Sequence, residues 1–225
     1  LETPDDPDDD LQLIPIWKDA LFHFGDAFSD SKFWATRKLN AKCIDDPRLT
    51  TKVVEEINGR VWHRILSPVG SIIGVALQQR HAKVAKEFAS LVFSSGASQE
   101  IIEEILSCVY KPVCDEIERH VDDLESRLDA LIPVSKDPKK WKKVLDEFEQ
   151  KCLPLLRLVI QVGDLPGYAE EHARDKAAEF LSGLSISCWN KTDDGSVATR
   201  AMKLASEIAD SGSLRKKYSG EVFNA

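Results

Sequence analysis

Cysteine, histidine, carboxylate and lysine side chains could do chemistry here, and their spacing decides which of them can act together. His23, His63, His81, His120 and His172 are scattered, and neither His-Glu-x-x-His nor Cys-x-x-Cys occurs. Cys108, Cys114 and His120 follow one another at six-residue steps. Six residues turn a helix by roughly 240°, so the three share no face unless the helix breaks, and Pro112 is the only candidate for a break. No metal site and no cofactor are therefore expected. A serine nucleophile would want a Gly-x-Ser-x-Gly turn, and a phosphate cradle a Gly-x-x-x-x-Gly-Lys loop after a strand; neither is present. The carboxylate pairs Glu55-Glu56, Glu103-Glu104, Asp122-Asp123 and Glu170-Glu171 sit about 100° apart on a helix, as solvated faces do. No catalytic residue is expected, and the chain reads as a non-enzyme.

Two groups remain as candidates. Lys136, Lys139, Lys140 and Lys143 gather on one side of a helix start with Trp141 beside them, and Lys142 completes the run. Lysines with an aromatic could meet a phosphate backbone or an acidic partner. The alternative is plain surface with Trp141 turned inward, and the helix dipole slightly disfavours cations there. The second group is the polar stretch Asn190-Lys-Thr-Asp-Asp-Gly-Ser196. Asn190, Asp193, Asp194, Gly195, Met202 and Lys203 mark it and the following helix as an exposed or cleavable segment. That helix is short and rich in Ala and Ser, and so is expected to open at low cost. Proteolysis is expected to cut first in the acidic stretch at 1–10 and next around residues 190–203.

The elements around these groups are helical throughout. Ile14, Trp17, Leu21, Phe24 and Phe28 recur at three- and four-residue steps, which defines a helix over about Ile14–Phe28. Asp30 or Ser31 caps a second helix, to about Ile44. Asp46-Pro47 starts a third, and Ser67-Pro68 marks a break or a fresh start before a helix ending at Ser94-Ser95-Gly96. Ile101 to Leu131 forms one long apolar stripe, with Pro112 expected to kink or split it. Asp137-Pro138 opens a helix to about Val162 with Pro154 inside it. Helices over Tyr168–Trp189 and Val197–Ala209 follow, and Leu214–Phe223 adds a last turn or two. No segment alternates with period two for long. The fold class is all-α: an irregular helical bundle or short helical-repeat array of about eight to ten helices. Residues 1–10 read as an acidic linker and 11–225 as a single elongated domain, with a possible sub-boundary near 133–137.

Composition narrows the function class. The chain has 225 residues and a net charge of -8, of which Glu2, Asp5, Asp6, Asp8, Asp9 and Asp10 account for most. The nearly neutral remainder lacks the coherent basic face of a general nucleic-acid binder. No stretch reaches the ~18–20 apolar residues of a membrane span. An odd number of irregularly spaced cysteines, Cys43, Cys108, Cys114, Cys152 and Cys188, suggests reduced thiols and a cytoplasmic setting. The opening Leu1 suggests a fragment or a processed product.

The segment Lys176-Ala-Ala-Glu-Phe-Leu-Ser-Gly-Leu-Ser-Ile-Ser-Cys-Trp-Asn190, with Ala201–Ala209 and Ser213–Lys217 after the polar turn, resembles the terminal helical hairpin of tetratricopeptide-like tails of bacterial proteins, some of them linked to J-domains. In such tails an Asn after an apolar helix closes the turn and a small-residue helix packs back. The likeness covers about 45 residues, and the His-Pro-Asp signature of a J-domain is absent. What it implies is a helical interaction region and nothing catalytic. The resulting expectation is a non-catalytic protein-interaction or regulatory module of a larger cytosolic protein. The alternatives are an accessory component of a bacterial stress-response or phage-defence system controlled by partner binding or proteolysis, or an enzyme of unidentified class. A protein partner is expected, nucleic acid is not expected for the body of the chain, and no membrane is implied.

Overall fold

The structure, a computed structural model, describes residues 11–43, 51–133, 135–162, 168–192 and 195–209. The described residues form an all-α fold with no strand: α1 (Ile14–Ser29), α2 (Ser31–Cys43), α3 (Thr51–Gln78), α4 (Ala82–Phe93), α5 (Gln99–Leu131), α6 (Pro138–Lys151), α7 (Leu153–Val162), α8 (Tyr168–Thr192) and α9 (Gly195–Ile208). The acidic stretch 1–10, Asp46-Pro47 and the expected turns after Ala209 lie outside the described residues. The chain divides into two compact units, Leu1–Val109 and Tyr110–Ala225. The division falls within α5, while the 133–137 loop lies inside the second unit.

In the first unit, Asp30 closes α1 and caps α2, its carboxylate accepting from the Lys32 amide at 2.8 Å. α1 lies against α4. Gly25 lets it approach the turn after α4, because a Cβ there would sit 2.9 Å from the Ser95 carbonyl oxygen. The expected break at Ser67-Pro68 is absent, and α3 runs through it. Pro68 is exposed, so its ring costs no packing, and the hydroxyls of Ser67 and Ser71 donate to the carbonyls of His63 (2.5 Å) and Ser67 (3.0 Å) around it. The real stop comes at Arg80, whose φ of 63° is left-handed. The Arg80 and His81 amides donate to the Leu77 and Ala76 carbonyls, the reciprocal pattern that ends many helices, here without glycine. Gly70 then admits Ile105 and Gly74 admits Val109 from the first turns of α5.

The second unit begins with the rest of α5, which continues past Pro112 without the expected split. Pro154 divides the helix expected over Pro138–Val162: α6 stops at Lys151, and the proline occupies the first turn of α7, where its missing N–H is not needed. α8 and α9 form the most extensive helix pair, and both also pack on α6. The Phe148 and Phe180 rings stack at 5.6 Å between α6 and α8.

Candidate interaction surfaces

The lysine run is set on a rigid base. Asp137 caps α6, its side chain accepting from the Lys139 amide at 3.0 Å. Trp141, Val144, Leu145 and Phe148 fill the inward side of the helix. The expectation for Trp141 is corrected here: it is fully buried, and its indole N–H donates to the Ser135 carbonyl at 3.2 Å, so it cannot meet a partner. A wide apolar ring on the inward face of a helix gains more from burial than from stacking at the surface. Lys136, Lys139, Lys140, Lys142 and Lys143 are all exposed, and among the described residues none of them makes an ion pair. The acids on the following turns are all engaged. Asp146 and Glu149 share Arg200, and Glu147 binds Arg127 at 2.5 Å and Lys151 at 2.9 Å.

A polar cleft of about 310 Å³ opens beside this ion pair, lined by His120, Asp123, Leu124, Ser126, Arg127, Glu147 and Lys151. Hydrogen bonds from Lys151 and then Arg127 hold the Glu147 carboxyl below its ordinary value. A carboxylate stabilised as the anion by two cations is a poor general base. The Ser126 hydroxyl donates to its own helix, at the Asp122 carbonyl. The cleft offers charged groups, with the Ser126 hydroxyl engaged by its own helix.

A second polar group is internal. Arg174 donates to the Ile208 carbonyl at 3.1 Å, satisfying the C-terminal end of α9, and to Glu170 at 3.2 Å. Burial first, and then the Glu170 charge, push the Tyr110 hydroxyl well above its ordinary range, and that hydroxyl is buried without a hydrogen-bond partner. The same causes push the Cys114 thiol up to about 12, and burial does the same to Cys152, also to about 12. Thiols this protonated are neither nucleophiles nor ready metal ligands. Cys108 is exposed and Cys188 is buried with its sulfur 3.5 Å from the Thr192 hydroxyl, and neither forms a disulfide. No group of three or more His, Cys, Asp or Glu able to hold a metal occurs among the described residues, and none of their helices is long and apolar enough to cross a membrane.

The polar segment near residue 190 differs from its expectation. α8 continues to Thr192, whose hydroxyl donates to the Cys188 carbonyl at 2.9 Å, so Asn190 is an exposed helical residue. Asp193 and Asp194 lie outside the described residues. Gly195 begins α9 with the Trp189 ring 2.8 Å from where its Cβ would be. Lys203 is exposed, but Met202 is only 4% exposed and belongs to the core. Val197, Ala198, Ala201, Met202, Leu204, Ala205 and Ile208 are all buried. Ser185 also donates to the Ala198 carbonyl at 2.8 Å. The small side chains of α9 bring it close to α8 instead of leaving it loosely held, so the cleavable-helix expectation is corrected for Met202 and its neighbours.

The surface that the periodicity did not single out is on α1. Leu21 is buried, but Ile16 is 66% exposed and Phe22 63% exposed. Leu13 and Phe24 are exposed as well, although Phe24 was expected on the inward stripe. The available signal was the presence of apolar residues beside that stripe, which makes α1 apolar over more than the ~100° a single contact covers. Compared with known protein families, curated proteins and solved structures, the chain has no significant match.

Proposed function

We propose that this chain is a non-catalytic helical protein-interaction module. The observation that carries the reading is on α1, where Ile16, Phe24 and the preceding Leu13 fall within about a quarter of the helix circumference and stay exposed, while Leu21 is buried and the helix packs on α4. Contiguous exposed apolar surface marks contact sites, and burying each of these side chains against a partner contributes roughly 1.5–3 kcal/mol. The occupant that fits is a protein with a complementary apolar groove or helix. Affinity capture with the intact purified chain tests this, compared with an Ile16→Glu/Phe24→Glu variant whose circular dichroism matches the parent. A partner retained by the parent and lost by the variant is expected. Identical captured proteins for the two chains overturn the reading.

A further inference from the structure

We infer that the N-terminal half of α6 is a docking face for a short acidic protein segment, an inference that rests on the interaction reading and names a second contact and its chemistry. Lys139, Lys142 and Lys143 project from the side of α6 opposite the buried Trp141, Val144, Leu145 and Phe148, with Lys140 on the flank and Lys136 just before the cap. None of the five is neutralised within the described structure, whereas Asp146, Glu147 and Glu149 on the same helix are all engaged by arginine or lysine. The arrangement does not serve the helix. Lysines at the positive end of the dipole repel it and one another, and acids at that end would be favoured. The charge is thus a cost within the fold that an anionic partner removes.

Geometry favours an acidic peptide over a nucleic acid. The lysine-bearing turns, Pro138–Lys143, extend about 9 Å along the axis, the span of roughly three extended residues. Beyond them, Asp146, Glu147 and Glu149 are matched one for one by Arg200, Arg127 and Lys151, so a long polyanion following the helix would next meet acids and cations in equal number. Trp141 is buried, which removes the aromatic platform that single strands use. The run holds lysine and no arginine, which gives point charges without the bidentate fork that favours phosphate.

The test is fluorescence anisotropy of a labelled dodecapeptide of Asp and Glu with the intact chain, at low and at physiological salt. Saturable binding that weakens with salt is expected. Lys139→Glu/Lys143→Glu should weaken it at least tenfold, while Lys191→Glu/Lys203→Glu, an equal change in net charge at exposed lysines elsewhere, should change it less than threefold. The first variant should also keep or raise the melting temperature, because it places acids at the helix N-terminus; this separates lost binding from lost fold. No saturable binding, equal weakening by both variants, or tighter binding of a single-stranded oligonucleotide or anionic vesicles of matched charge overturns the inference. If the α1 partner is still captured in that event, the interaction reading stands and only the lysine face falls.

Discussion

The two units differ in what they do with apolar surface. In the second, α6, α7 and α9 each bury a continuous face, and the buried charges Glu170 and Arg174 face one another; among the described residues only Ile160, Ile186 and Trp189 stand out as exposed large apolar residues. In the first, α4 is as well buried as any helix, yet Leu13, Ile16, Phe22, Phe24, Leu39, Ile57 and Phe93 stay exposed. Similar compositions therefore give one unit whose fold uses most of its apolar side chains and another whose fold leaves many unused. Surface that folding does not need is available for recognition.

The most direct way to break this contrast is to truncate one phenylalanine in each unit. Phe148→Ala opens a cavity in a close-packed core and should cost about 3–5 kcal/mol, whereas Phe22→Ala should change stability by less than about 0.5 kcal/mol. Urea midpoints of the two variants decide it, and equal losses would mean that the α1 surface supports the fold. Next in size, Arg174→Met leaves Glu170 without its guanidinium and the Ile208 carbonyl without its donor. The expected loss is roughly 3 kcal/mol. The double variant with Glu170→Gln should recover part of it, since the penalty comes from an uncompensated buried charge.

Two glycines sharpen the comparison at smaller scale. Gly25→Ala drives a Cβ to 2.9 Å from a backbone oxygen and should destabilise by about 1–3 kcal/mol despite better helix propensity. Gly183→Ala in α8 meets nothing within 4 Å and should stabilise by about 0.5–1 kcal/mol. Thermal melts of both variants should therefore shift in opposite directions. The smallest effect concerns pH. Glu147 is held below its ordinary value of 4.5 by Lys151 and Arg127, so its contribution is present above that value and is lost as pH falls through its lower folded value. The pair is partly exposed, and about 1 kcal/mol or less is expected. Glu147→Gln should flatten the fall in melting temperature below pH 4.5 without abolishing it, and an unchanged slope would remove the ion pair from the account.

The sequence alone was enough for the helical class, the Asp137-Pro138 start and the exposure of the lysine run, and it narrowed the α2 cap to Asp30 or Ser31. These rest on local rules: period 3.6, side-chain caps, and charges too costly to desolvate unpaired. It could not decide which proline interrupts a helix. Pro68 faces solvent and is absorbed by α3, while Pro154 falls where α6 gives way to α7. Nor could it place Trp141 inside, Met202 in the core or Phe24 at the surface, because periodicity says which side of a helix is apolar and not whether a neighbour covers it. That was decided in the tertiary structure, by α8 lying over the Phe148 side of α6 and over α9, and by no described helix covering the outer face of α1.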